Sequence, residues 1–316
     1  MLFRSYMIGN GGLAGESIDD AGRVGQKNAA ITVGFAFAQT NTGHDARKEP
    51  SGSFILSNPQ KAVDYAYRAV HLTATTAKDI VKQYYGKPAS KSYWNSCSNG
   101  GRQGLIEAQR YPEDFDGIVA DAPWVDQTGF TVGAIWNQQA MSAAPVSAVK
   151  MAMVAKYGME KCDATDGLKD NLIGDPRKCS FDPLLDVPSC KPGTDSPDCL
   201  TMAQAEAVGK VYHGPSSGSK QIFPGFMVGS EMVGAQGTSG WMNMIVAAQP
   251  TAKPADFNLA EGILRYLVLK PAQPEYDYKQ FDFARDPKLL EEWGKLADAK
   301  STDLSKFRKR GGKLII

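Results

Sequence analysis

The alternation of apolar and polar positions in the first third of the chain predicts strands and helices in turn. Short apolar runs bounded by turn residues are typical of buried strands, and runs with apolar residues at helical spacing lie between them. The predicted strands are Met1–Ile8, Ile31–Phe37, Ser90–Asn95 and Gly117–Ala120. The predicted helices follow Asn58, a residue type that can cap a helix, and cover Thr75–Tyr85 and Arg102–Tyr111. This order is typical of an α/β fold with a mostly parallel sheet.

The pattern changes after Pro123. Helical runs such as Ala148–Tyr157 and Met202–Tyr212 are then separated by long loops rich in Pro, Gly and Ser, without a regular alternation of strands. A last apolar run, Lys313–Ile316, follows two glycines. We therefore expect a sheet core over residues 1–123, an inserted domain over 124–305 and a return to the core over 306–316.

Ser98 lies between a predicted strand and a predicted helix, with the small residues Ser96 and Gly100 two positions before and after it. A sharp strand-to-helix turn requires such small residues, exposes the serine hydroxyl and leaves the N–H of Asn99 free to face an oxyanion. The alternative is a glycine-rich helix N-terminus without chemistry. We call the turn at Ser98 the elbow. The order strand, elbow, helix, strand favours the centre of an α/β-hydrolase and acyl transfer as the reaction. The insertion would then form a lid.

Several long motifs resemble the tannase and feruloyl esterase family, which also contains the enzyme that hydrolyses mono(hydroxyethyl) terephthalate. The resemblance covers nearly the whole chain. It implies an α/β-hydrolase that hydrolyses esters of aromatic acids, such as hydroxycinnamic or gallic acid, through an acyl-enzyme on Ser98. The matching segments are Gly9–Gly15, Thr42–His44, Cys97–Ala120, Cys162–Pro176 and Arg310–Leu314.

A second oxyanion donor is expected in the loop Gly9–Gly12, which follows the first strand. Glycines there let the backbone approach a substrate closely. Alone, such a loop is typical of an ordinary tight turn. Its position before the elbow and its family match favour the N–H of Gly12 or Gly11 as the donor.

None of the histidines in the sequence has the position expected of the catalytic base. In α/β-hydrolases the acid and then the histidine follow the serine, but the three histidines are His44, His71 and His213. The first two precede Ser98, and the third lies in the predicted lid. The family pattern puts the acid just beyond a strand like Lys313–Ile316 and the histidine further on.

We therefore expect an esterase fragment whose triad Asp and His lie outside this sequence. One alternative is a rewired triad that uses Asp121 and one of the three histidines. Another is a non-catalytic module that binds aromatic esters, or an inactive truncated homologue.

Five cysteines suggest two local disulfides and one cysteine left over. The spacing favours Cys162 with Cys179 and Cys190 with Cys199, and leaves Cys97 without a partner. Five reduced thiols are the alternative. Disulfides in loops indicate an oxidising compartment, so we expect a secreted or periplasmic protein. In the family that the chain resembles, the cysteine before the nucleophile pairs with one beside the catalytic histidine.

The segment 163–172 concentrates three carboxylates around one glycine. Carboxylates this close repel each other unless a hard cation lies between them, and calcium accepts such oxygens in flexible geometry. A solvated acidic turn is the alternative. The resemblance implies a structural calcium ion held by the side chains of Asp163, Asp166 and Asp170 and by the backbone oxygens of Leu168 and Leu172.

Composition excludes little but agrees with a globular enzyme. A net charge of +1 predicts no nucleic-acid partner. No apolar run reaches the roughly 18 residues of a membrane span. Met1–Ile8 carries Arg4 and lacks an apolar core and a small-residue cleavage site, so we predict no signal peptide in this sequence. The expected partner is a small aromatic ester.

Overall fold

A computed structural model describes residues 3–231, 240–247, 249 and 252–316. The strands are β1 (Arg4–Met7), β2 (Phe35–Ala38), β3 (Lys91–Cys97), β4 (Gly117–Asp121), β5 (Ser216–Ser217), β6 (Lys220–Gln221) and β7 (Lys313–Ile315). The helices are α1 (Ala21–Thr32), α2 (Phe54–Ser57), α3 (Gln60–Val63), α4 (Ala69–Tyr85), α5 (Asn99–Arg110), α6 (Gln127–Ala143), α7 (Ala148–Cys162), α8 (Pro183–Asp186), α9 (Met202–His213), α10 (Ala255–Gly262), α11 (Glu291–Ala297) and α12 (Ser305–Lys309).

Five strands form one parallel sheet in the order β2-β1-β3-β4-β7. Strand β3 is central, and Trp94 on it is buried against Phe115 and the helix α5. Ile106 of α5 and Ile118 of β4 lie in the same apolar cluster. Burial of these side chains fixes α5 against the sheet, because each removes apolar surface from water. The predicted α/β fold class is confirmed.

The stretch Ile31–Phe37 differs from its prediction as one strand. Ile31 ends the helix α1, and the strand β2 begins only at Phe35. The turn between them is closed by Gly34, whose φ of 87° suits glycine. Ile31 and Val33 are exposed, so their apolar character does not mark a buried strand here.

The two helices predicted after Asn58 are one continuous helical segment. Asn58 precedes it, and its Oδ1 accepts the N–H of Gln60, the first residue of α3, at 3.0 Å. The segment runs through α3, a π-helical turn over Asp64–Arg68 and α4, and ends at Gly86 with φ 67°. A π turn inserts an extra residue into a helix and is frequent at functional sites.

The chain divides into two compact units. The first comprises residues 1–128, 262–275 and 289–316, and the second comprises 129–261 and 276–288. The sequence-based boundaries at 123 and 306 therefore differ from the structural ones: three segments of the expected insertion, 124–128, 262–275 and 289–305, belong to the unit that holds the sheet. The sequence did not predict that these segments rejoin the first unit, because no regular alternation of strands marks them.

The second unit is mainly helical. Its apolar cluster is built around Val154 of α7, Val208 of α9 and Trp241, all fully or almost fully buried. The predicted disulfides Cys162–Cys179 and Cys190–Cys199 both form within it, and Cys97 of the first unit is free. Among the described residues, no helix has both the length and the apolar character that a bilayer crossing requires.

Candidate active site

Ser98 occupies a sharp turn between β3 and α5. Its φ of 60° and ψ of −122° are unusual for a residue with a side chain. The turn is held by its own backbone, because the N–H of Ser98 donates to Asp121 O at 3.0 Å and its carbonyl accepts from Arg102 and Trp124. Such strain persists only where the surroundings fix it, and it is concentrated at functional sites. The Ser98 side chain is exposed.

The small residues on either side of Ser98 are required by contact. A Cβ atom added to Gly100 would lie 2.0 Å from Ser96 Oγ and 2.5 Å from Ser96 Cβ. A Cβ on Gly9 would lie 2.7 Å from Gly100 Cα. The glycine loop after β1 therefore approaches the start of α5 at backbone distance, as expected for two halves of an oxyanion hole.

We expect Gly100→Ala to destabilise the first unit by about 1–3 kcal/mol, the usual cost of overpacking. Ser96 is short, so it cannot move its Cβ away. The double variant Ser96→Gly/Gly100→Ala should recover most of the loss. Gly25→Ala is the control, since a Cβ there meets nothing within 4 Å. Equal denaturant midpoints for the Gly100 and Gly25 variants would show that the elbow is not sterically closed.

The glycine loop leaves one predicted donor without a partner. The N–H of Gly11 donates to Glu16 Oε2 at 2.9 Å, and Glu16 also pairs with Arg23. In the described residues, the N–H of Gly12 has no hydrogen-bond acceptor. Of the two predicted alternatives, this arrangement favours Gly12. Asn99 is the first residue of α5, where a helix leaves its N–H groups without intrahelical acceptors.

Beneath these donors lies a buried polar network. Arg102 is fully buried and donates from Nε to Asn99 Oδ1 at 2.8 Å. Its other donors reach the backbone carbonyls of Ala66, Ala297 and Tyr65. Burial lowers the pKa of Arg102, yet a guanidinium stays protonated in proteins. The network thus holds a positive charge below the start of α5.

Two of the three histidines are committed elsewhere in the first unit. His44 is buried, its Nε2 lies 3.1 Å from Leu13 O, and its ring stacks on Phe54. Burial lowers the pKa of His44. His71 Nδ1 lies 2.6 Å from Asp114 Oδ2. His213, exposed at the end of α9 in the second unit, has no carboxylate partner among the described residues.

Asp121, the acid of the rewired alternative, ends β4 beside Cys97. Burial and the neighbouring Asp121 charge raise the pKa of the Cys97 thiol. A thiol with a raised pKa is a poor nucleophile at neutral pH. Neither His44 nor His71 is bonded to Asp121 within the described part of the first unit, so that unit supplies no base for the rewired triad.

The predicted calcium loop begins as a short 3₁₀ turn over Asp163–Asp166. Asp163 is buried, and its Oδ1 accepts the N–H groups of Asp170 and Leu172, each at 3.2 Å. Asp166 Oδ1 accepts the N–H of Leu168 at 3.0 Å. Among the described residues, however, the carboxylate oxygens of Asp163, Asp166 and Asp170 do not all lie within 4.8 Å of one another, so the structure places the three predicted side-chain ligands in one loop but does not bring them to one point. The disulfide Cys162–Cys179 closes the segment.

A different cluster brings ligand-type atoms together. Within the described residues, His71, Glu107 and Asp114 are the three such side chains whose ligand atoms all lie within 4.8 Å of one another. Glu107 is fully buried, and burial together with the Asp114 charge raises its pKa well above the ordinary value. Lys78 lies 3.8 Å from Asp114. His71 and Asp114 are bonded to each other, whereas neither carboxyl oxygen of Glu107 has a hydrogen-bond partner among the described residues.

We expect Glu107→Gln to gain stability over the wild type as the pH rises. The folded pKa of Glu107 lies above its unfolded value, so the wild-type contribution is complete below about pH 4 and is lost as the pH rises toward the folded pKa. The difference should grow by at most about 1.4 kcal/mol per pH unit. Urea unfolding from pH 4 to 8 measures it, with the exposed Glu160→Gln as control. Parallel curves for wild type and Glu107→Gln would contradict the neutral carboxyl group.

Comparison with known proteins decides the family. The model of the family described as tannase and feruloyl esterase matches residues 3–316. The chain belongs to that family. It is 33% identical to an uncharacterized esterase of Xanthomonas campestris over 91% of the chain and 50% of that protein. It is 31% identical to a protein named probable feruloyl esterase B-2 of Aspergillus terreus, over 99% of the chain and 55% of that protein.

The solved structure of feruloyl esterase B from Aspergillus oryzae superposes with a TM-score of 0.78 at 28% identity, covering 98% of the chain and 58% of that structure. The tannase and feruloyl esterase resemblance is thus confirmed, together with the hydrolase-like sheet. The chain spans about half the length of the curated relatives that it matches.

Proposed function

We propose that the chain forms the nucleophile half of a serine carboxylesterase, which hydrolyses small esters of aromatic acids by acylation of Ser98 and hydrolysis of the acyl-enzyme. The strained backbone of Ser98 between β3 and α5 carries this proposal. Family membership supports the reaction class. Relatives named feruloyl esterases support an aromatic acyl group.

Ser98 needs a base and an acid that orients the base. His44 and His71 are bound to other groups, and His213 has no carboxylate partner among the described residues. We therefore place the catalytic histidine and acid outside residues 1–316. An oxyanion hole of the N–H groups of Asn99 and Gly12 would stabilise the tetrahedral intermediate.

A structural calcium ion in the second unit is a further part of the proposal. Asp163, Asp166 and Asp170 would hold it with their carboxylates, and Leu168 and Leu172 with their carbonyl oxygens. The charge of the ion would offset the mutual repulsion of the carboxylates. Its role would be structural, since the disulfide Cys162–Cys179 would close the loop around the ion. The two disulfides also support a secreted or periplasmic location.

The competing function is a non-catalytic module that binds aromatic esters, which the histidine positions favour. One comparison separates the two. The chain is extended at its C-terminus by the corresponding segment of feruloyl esterase B from Aspergillus oryzae, and hydrolysis of p-nitrophenyl and feruloyl esters is measured with and without the extension. An esterase gains activity that depends on Ser98, whereas a binding module gains none.

A further inference from the structure

The phenol of Tyr65 contacts both sides of the proposed oxyanion hole. Its hydroxyl lies 3.1 Å from the carbonyl oxygen of Gly12 and 3.3 Å from Asn99 Oδ1. These residues are far apart in sequence, and each is proposed to supply one donor N–H. From this contact, we propose that Tyr65 is a positioning residue that holds the two oxyanion donors in register; the inference rests on the proposed function.

The hydrogen-bond roles at this hydroxyl are fixed. Gln127 donates from Nε2 to the Tyr65 oxygen at 2.8 Å. The phenol proton is then directed to the acceptors, Gly12 O and Asn99 Oδ1, which share it. Burial raises the pKa of Tyr65, so the phenol keeps its proton at working pH. One hydroxyl therefore links the glycine loop to the first residue of α5.

The ring of Tyr65 cannot move away from this position. The side chain is fully buried, and its ring stacks with Trp293 at 6.1 Å and lies 5.7 Å from Phe54. The Arg102 guanidinium lies 5.2 Å from the centre of the ring. The π turn over Asp64–Arg68 places Tyr65 in this slot, outside the spacing of a regular α-helix.

The other side-chain contacts of the glycine loop hold the residues before Gly12, and the phenol of Tyr65 holds Gly12. Gln103 Oε1 accepts the N–H of Asn10 at 3.1 Å, and Glu16 accepts that of Gly11. Both bonds fix the chain before Gly12. Tyr65 is the side chain that holds the carbonyl of Gly12 itself, at a φ of 40°. A productive oxyanion hole needs its donors placed within a few tenths of an ångström, so loss of this bond should weaken the hole without removing a donor.

The first test uses the chain of residues 1–316 and needs no catalysis. Tyr65→Phe keeps the ring and removes only the hydroxyl. Hydrogen exchange of the loop amides that are bonded, Asn10, Gly11 and Ala14, should accelerate about tenfold, the factor that corresponds to one lost hydrogen bond. Tyr67→Phe is the matched control, because Tyr67 lies in the same π turn and its hydroxyl has no hydrogen bond within the described residues.

The second test uses the extended, active chain. Tyr65→Phe should lower kcat by about 10- to 100-fold and leave KM unchanged, less than the roughly 10²–10³ for deletion of an oxyanion donor. Tyr67→Phe should change neither. If Tyr65→Phe does not fold, Gln127→Met replaces it in both tests. This variant removes the donor to the phenol, so it should also accelerate exchange and lower kcat. Exchange and kcat equal to those of the Tyr67 variant overturn the inference. Activity that survives Ser98→Ala overturns the proposed function instead, and leaves the exchange result valid.

Discussion

Ser98→Ala should lower ester hydrolysis by a factor of about 10⁴ to 10⁶ in the extended chain, as loss of a triad member does in serine hydrolases. The reason is covalent: without the hydroxyl there is no acyl-enzyme, and only binding and the oxyanion donors remain. Residues 1–316 alone should be similarly slow, because His44 and His71 of the first unit are bonded to Leu13 and Asp114, and neither is bonded to Ser98 among the described residues.

Rates on p-nitrophenyl and feruloyl esters measure both effects. Ser305→Ala, an exposed serine at the start of α12, controls for the substitution itself and should leave the rate unchanged. Intact-mass analysis should find a feruloyl adduct on the extended chain and none on Ser98→Ala. Comparable rates for the chain with and without its extension, or an active Ser98→Ala variant, would refute the mechanism.

Removal of calcium should lower the melting temperature of the second unit by roughly 5–10 °C. An ion present at about 100 times its dissociation constant adds about 2.7 kcal/mol to the folded state, and each kcal/mol corresponds to about 2–4 °C for a unit of this size. The carboxylates of Asp163 and Asp166 would repel each other once the ion is gone. The chemistry of Ser98 should not change.

Differential scanning calorimetry with and without a chelator measures the shift. Asp166→Asn should abolish the calcium-dependent part of the melting temperature, and the exposed Asp79→Asn in α4 should retain it. Elemental analysis should give one calcium ion per chain. An unchanged melting temperature in excess chelator, with no metal in the protein, would remove calcium from the proposal.

Local sterics made the elbow predictable. Ser96 and Gly100 can be recognised two positions from Ser98 because the shortest contact that requires them, between a Cβ at Gly100 and Ser96, is local in sequence. The disulfides were predictable for the same reason, since Cys190 and Cys199 are separated by 9 positions. The number of residues between two such positions was enough to predict both features.

The residues that hold the site were missed because their partners are distant. Tyr65 and Arg102 look like ordinary helical residues, yet they contact Gly12 and Ala297, which lie far away along the chain. A charged residue one turn before Leu105 and Ile106, on the apolar face of α5, is the signal that could have marked Arg102. The helix α1 was missed for a different reason: it contains Gly22 and Gly25 and buries only Ala30, so its apolar pattern is weak.

The pairing of β4 with β7 has a consequence for synthesis. Gly117 of β4 pairs with Lys313, which lies about 200 positions later in the chain. Ribosomes add about 5–20 residues per second, so the edge of β4 stays unpaired for about 10–40 s until β7 has been synthesised. An unpaired edge invites pairing with other chains. The β4 edge is open to such pairing throughout the interval in which the residues of the second unit are being synthesised.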